Sequence, residues 1–159
     1  MKYSIIVLIM TCVFANTHAQ HIEFLGIPLG QSFETFDRSL RGKGFVSGGE
    51  SQVPNLHHYN GKFWRFDIAY LVVEEENGRV TRVCITPLRS DLNKFNSLVN
   101  SLTKKYGKYS RKEGDEYDWK IRGGEVRALY YRGIGIYYTD RTSSLYINKY
   151  NKRNNEDDL

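Results

Sequence analysis

The stretch GKFWRFDIAYLVVEEENGRVTRVCITPL, residues 61–88, constrains the fold more than any other part of the chain. β-Branched and aromatic residues fill both sides of Asn77-Gly78, a dipeptide suited to a two-residue turn in which both central residues take positive φ. The pattern predicts a long antiparallel hairpin. Period-two alternation then places Trp64, Phe66, Ile68, Tyr70 and Val72 inside. It leaves Phe63, Arg65, Asp67, Ala69, Leu71 and Val73 outside, a set more apolar than a solvated face should be. Glu74, Glu75 and Glu76 lie beside the turn and read as a solvated tip, because adjacent strand residues point to opposite faces.

Helical periodicity occurs twice. Phe33, Phe36 and Leu40 follow Ser32, a residue suited to an N-cap, and Gly42 and Gly44 close the segment. Leu92, Phe95, Leu98, Val99, Leu102 and Tyr106 form a second stripe. Ser90 is the expected cap there, Lys104 and Lys105 suit the C-terminal dipole, and Gly107 suits a left-handed stop. Beyond it, EYDWKIR, EVRALYY, IGIYYTD and SLYINKY read as four short strands, and HIEFLGI as a strand ahead of the first helix. The expected fold is α+β, with two helices packed on one face of a mostly antiparallel sheet. FDRSLRGKGF and VNSLTKKYGKY share a weak likeness that suggests a tandem of two helix-plus-meander halves.

The N-terminal segment MKYSIIVLIMTCVFANTHA has a lysine, a short apolar run and small residues three positions and one position before Gln20. Residues 1–19 are therefore expected to be a signal peptide, too short in its apolar run to span a membrane. The mature chain is expected to be periplasmic or extracellular and not an integral membrane protein. Residues 20–150 form one expected domain, and the polar segment 151–159 an expected disordered tail. The whole chain carries +5 at neutral pH, and the mature part about +4, a mild basicity that favours acidic partners. Cys84 is the one cysteine of the mature part, so no internal disulfide can form and the core must hold the fold. Cys84 itself reads as a small buried hydrophobe.

Six of the twelve tyrosines fall in residues 128–150. Strand parity assigns Tyr130 and Tyr138 to the core, with Val126, Ala128, Ile134, Ile136, Tyr117, Trp119 and Ile121. On the last expected strand Leu145 and Ile147 face inward. Tyr131, Tyr137, Tyr146 and Tyr150 are left on the opposite face with Asp118, Lys120, Arg122, Arg127 and Leu129. Tyrosine and arginine suit interfaces, since they bury large area at modest entropic cost. The candidate binding residues are therefore Arg65, Lys120, Arg127, Tyr131, Tyr137, Tyr146 and Tyr150, on a face left open by the helices. Cross-strand aromatic pairs also stabilise a sheet without any ligand.

No catalytic motif, phosphate loop or paired-cysteine metal motif occurs, so neither an enzyme nor a cofactor is expected. His57-His58 reads as a solvated pair in a loop-like segment, not a metal site. RGIGI reads as a bend. GKFWRF is similar to the aromatic strand of RNA-binding sheets, but export and modest charge argue against nucleic acid. Gly26-Ile27-Pro28-Leu29-Gly30, followed by Leu40-Arg41-Gly42-Lys43-Gly44-Phe45, resembles the opening of small exported proteins of unknown function from Gram-negative gut bacteria. The layout is also similar to β-lactamase-inhibitor-like and PepSY-like exported domains, which implies binding or inhibition of another protein. The expected function is a non-enzymatic domain that contacts a protein or glycan. The alternative is an envelope-assembly or structural protein that homodimerises through the same face.

Overall fold

The computed structural model describes residues 21–64, 66–89 and 91–156, without the side chains of Phe66, Ala69, Asn154, Asn155 and Glu156. The expected signal peptide, Ser90 and Arg65 lie outside the described residues. In chain order the elements are β1 (Glu23–Phe24), β2 (Ile27–Pro28), α1 (Phe33–Gly42), β3 (Val46–Ser47), β4 (Leu56–Asn60), β5 (Lys62–Phe63), β6 (Phe66–Glu76) and β7 (Arg79–Pro87). Then follow α2 (Leu92–Tyr106), β8 (Arg111–Glu113), β9 (Glu116–Ile121), β10 (Gly124–Tyr130), β11 (Ile134–Asp140) and α3 (Ser144–Glu156). The fold is α+β and dominated by its sheet, with three helices among the described residues where two were expected.

β1 and β2 make a two-stranded ribbon where HIEFLGI suggested one strand. The other strands form a nine-stranded sheet in the order β3-β4-β6-β7-β11-β10-β9-β8, with β5 folded back onto β6. Each pairing is antiparallel. A meander follows α1 and another follows α2, and they meet through β7 and β11, where Tyr137 pairs with Cys84 and Tyr138 with Val83. The turn between β6 and β7 has Asn77 at φ 53° and Gly78 at φ 74°, as its sequence requires.

Most of both helix stripes buries as spaced, but Leu92 is 46 % exposed and Phe33 and Tyr106 are only partly buried. Phe36 and Leu40 of α1, and Phe95, Leu98, Val99 and Leu102 of α2, join one core with Val83, Ile85, Val126, Ala128, Ile136 and Tyr138. Ser32 caps α1 by accepting from the Thr35 backbone N–H. Asp91 caps α2, accepting from the Lys94 N–H at 2.8 Å, and Gly107 ends it at φ 83°. Trp119 is buried against Tyr117 and Tyr109 and donates its indole N–H to the Gly107 carbonyl at 3.1 Å.

The parity of the long hairpin is reversed. Leu71 and Val73, expected outside, are fully buried, whereas Tyr70 is 64 % exposed and Trp64 51 % exposed. Phe63, also expected outside, is buried. For Tyr70, Leu71 and Val73 the cause is a bulge; Phe63 and Trp64 come before it, Phe63 in β5 and Trp64 in the turn to β6 at φ 58°. Ile68 pairs with Pro87 but Tyr70 with Thr86, so Ala69 is an extra residue and every side chain after it changes face. A second irregularity between Glu74 and Glu75 resets the register before the turn. Phe63, Leu71 and Val73, read from the sequence as outward, are therefore core.

Two other segments differ. His57 and His58 lie in β4, not in a loop, and the His57 ring stacks on Phe33 at 3.6 Å. SLYINKY is the start of α3, not a strand, and that helix continues through residues 151–156, which had been expected to be a disordered tail. The Ser143 carbonyl accepts from the Ile147 N–H at 3.0 Å, and the Ser143 hydroxyl accepts from the Leu145 N–H at 3.3 Å. Leu145 and Ile147, expected inside, are 43 % and 46 % exposed. None of the helices among the described residues is long and apolar enough to cross a membrane, which says nothing about spans made of strands.

Candidate functional site

β9, β10 and β11 turn Asp118, Lys120, Glu125, Arg127, Leu129, Tyr137 and Thr139 away from the core, because alternate residues of a strand share a face. That face is not open. α3 packs against it through its charged residues and tyrosines. Asp118, fully buried, accepts from Arg127 Nε at 2.8 Å, Arg153 Nη2 at 2.7 Å and Lys149 Nζ at 3.3 Å. Glu125, also buried, accepts from Lys149 Nζ at 2.7 Å. Spacing of four along α3 puts Lys149 and Arg153 on one side of the helix, above the two carboxylates.

The N-terminal end of α3 is held by the hairpin tip. Glu76 accepts from the Ser144 hydroxyl at 2.7 Å and from its backbone N–H at 3.2 Å. Glu74 pairs with Arg82 at 2.6 Å. The three glutamates read as a solvated tip are thus partly structural.

Burial, then the charge of Asp118, pushes the Glu125 carboxyl up against the pull of Arg127, Arg153 and Lys120. Burial works to lower the Arg127 guanidinium, but Asp118, Glu116 and Glu125 outweigh it and hold the group further above its ordinary range. Arg127 therefore stays charged.

Two adjacent cavities remain around this contact. The first, about 310 Å³, is lined by Arg82, Arg127, Leu129, Tyr137, Tyr146 and Lys149, with Glu125, Thr139 and Leu145 completing it. The second, about 650 Å³, is lined by Ser110, Arg111, Lys120, Arg127, Lys149, Lys152 and Arg153. Tyr146 and Tyr150 stack at 6.3 Å, and Lys120 Nζ stands 5.4 Å from the centre of the Tyr150 ring. Tyr137 lies beside Cys84, which is half-buried, and burial pushes the Cys84 thiol up.

Of the sequence candidates, Lys120, Arg127, Tyr137, Tyr146 and Tyr150 come together around α3. Tyr131 does not; it is 75 % exposed at the turn after β10, beside Arg132. Arg82, Arg111, Lys149 and Arg153 were not singled out in the sequence. The spacing of Tyr146, Lys149, Tyr150 and Arg153 by three and four carried a helical signal there.

A separate cluster lies on α1. The Tyr59 hydroxyl donates to Asp37 Oδ1 at 2.6 Å, and Arg41 Nε donates to Asp37 Oδ2 at 2.9 Å. Burial works to raise the Asp37 carboxyl, but these two hydrogen bonds outweigh it and hold the group below its ordinary value. Its stabilising contribution is complete above about pH 4 and is lost as pH falls through the depressed folded value. Tyr59→Phe is expected to raise the Asp37 pKa, measured by carboxyl-carbon NMR titration, and to shrink that acid-side loss.

Among the described residues, no group of three or more His, Cys, Asp or Glu side chains is placed to hold a metal ion. Comparison with protein-family models, with curated proteins and with solved structures gives no match.

Proposed function

We propose that this chain is an exported, non-enzymatic binding domain that takes an acidic segment of a partner protein at the surface shared by α3 and the outward face of β10 and β11. The observation that carries this reading is the first cavity. There two tyrosines and Leu129 lie within one recess with Arg82, Arg127 and Lys149, so an apolar anchor and a neighbouring carboxylate can both be met. Recesses that combine aromatic surface with arginine are where interface energy concentrates. The two successive meanders, each led by a helix, also support the two-halves reading of the sheet.

The test replaces Tyr137 and Tyr146 together with serine in the mature protein. Loss of partner capture at unchanged Tm is the expected result; undiminished capture would remove the reading.

A second reading, homodimerisation, is favoured by the exposure of Leu145, Ile147 and Tyr150 on α3. It requires sedimentation that changes with concentration, and Ile147→Glu would abolish that change. The binding-domain reading requires neither.

A further inference from the structure

We propose that the cleft between α1, the β3–β4 loop and β4 binds a pyranose unit of a glycan. The cleft has a volume of about 470 Å³ and lies at the β3–β4 edge of the sheet. Spacing of four sets Phe33, Asp37 and Arg41 along one side of α1, and all three line the space. The Asp37 carboxylate is held there by two donors, the Tyr59 hydroxyl at 2.6 Å and Arg41 Nε at 2.9 Å. A guanidinium has five N–H donors, and the bond to Asp37 uses only the one on Nε. The four on the two Nη atoms are left over from that bond, beside a carboxylate that can accept once more.

An acceptor and a fork of donors held side by side match two neighbouring hydroxyls of a sugar, each of which both donates and accepts. Asp37 and Arg41 neutralise one another, so the pair suits an uncharged polar ligand better than an ion. Because the two are already bonded together, they lose little further freedom when a ligand arrives. Ser47, Ser51 and Asn55 add short hydrogen-bonding side chains from the loop. Phe33, Val53 and Leu56 supply an apolar wall for the C–H face of the sugar ring. The His57 ring stacks on that of Phe33 at 3.6 Å and backs the wall. The volume falls within the range of small-ligand sites.

An extended peptide fits less well, because β4 has no free edge at His58 and Tyr59. On one side these residues pair with Val72 and Leu71 of β6. On the other, Tyr59 pairs with Ser47, and the His58 carbonyl accepts from the Gly48 N–H at 2.7 Å. This inference does not rest on the partner-protein reading, since the tyrosine-lined recess lies on β10 and β11, beyond β6 and β7 in the sheet.

The probes are maltotriose, cellotriose, mannotriose and chitotriose, each titrated into the isotope-labelled mature protein and followed by amide NMR. At least one is expected to shift the amides of Asp37, Arg41, Ser51 and Asn55 saturably, with a Kd of about 1 mM or tighter. The affinity should be indifferent to salt, because the ligand carries no charge. Arg41→Ala is expected to weaken binding roughly tenfold or more. The Arg41 side chain is 52 % exposed, so the fold should survive. If Tm falls, Arg41→Lys takes its place; it keeps the charge but not the fork, and should also weaken binding. Tyr137→Ser with Tyr146→Ser should leave sugar binding unchanged, so this proposal and the protein-binding reading fail separately. No saturable shift from any of the four sugars, shifts that map outside the cleft, or binding that the Arg41 variants leave intact would overturn the proposal. Tetra-alanine shifting the same amides more strongly than every sugar would overturn it too, and make the cleft a peptide site.

Discussion

Replacing Asp118 with alanine is expected to lower the unfolding free energy by roughly 3 kcal/mol, the low end for breaking a buried ion pair, because the cations around it reach solvent. The side chain is fully buried, and it accepts from Arg127 on the neighbouring strand and from Lys149 and Arg153 on α3. Alanine leaves those cations facing each other with Glu125 and Glu116 as the nearby acids. Lys149 and Arg153 are two of the side chains that tie α3 to the sheet, so the damage should concentrate there. Amides of α3 are expected to exchange with solvent faster in the variant, while those of α2 keep their protection. Rising salt should narrow the stability gap by screening the uncompensated cations. Asp118 is also one of the groups that push the Glu125 carboxyl up, so Glu125 should titrate lower in the variant. Urea denaturation with wild-type stability and unchanged exchange in α3 would show that this contact does not hold the helix.

The second large effect concerns the bulge in β6. Leu71→Ala is expected to cost about 2–5 kcal/mol, and Tyr70→Ala less than about 0.5 kcal/mol. Leu71 is fully buried next to Ile85, whereas Tyr70 is 64 % exposed. Strict alternation read from the sequence demands the reverse order, with Tyr70 inside. Chemical denaturation of the two variants therefore measures the register directly. A costly Tyr70→Ala and a neutral Leu71→Ala would restore the unbulged strand.

This reversal shows what could be read from the residues and what could not. FDIAYLVV is apolar or aromatic at nearly every position, so an extra residue leaves no break in its pattern. The shift comes from pairing with β7, which alternation along one strand cannot express. By contrast, Asn77-Gly78 states its turn locally, and the stripes of α1 and α2 have a face to bury, so these elements were legible. α3 was not, because its inward side is Lys149 and Arg153 and its counterpart is buried acid. An apolar-periodicity reading looks for a greasy stripe and finds none. Parity did place Arg127 and Tyr137 on the outward face of β10 and β11, away from the core. It could not reveal that a helix from the chain's own C-terminal region lies over that face and narrows the space left on it.

The central claim is that recognition occurs at the surface shared by α3 and the outward face of the sheet. A photo-crosslinking amino acid placed at position 145, on the rim of the tyrosine-lined recess, tests it most directly, with the same group at exposed position 38 on α1 as the control. In cells that produce the protein, position 145 should yield one defined protein adduct that disappears with Tyr137→Ser and Tyr146→Ser, and position 38 should yield none. Equal capture from both positions, or an adduct from position 38 alone, would contradict the account.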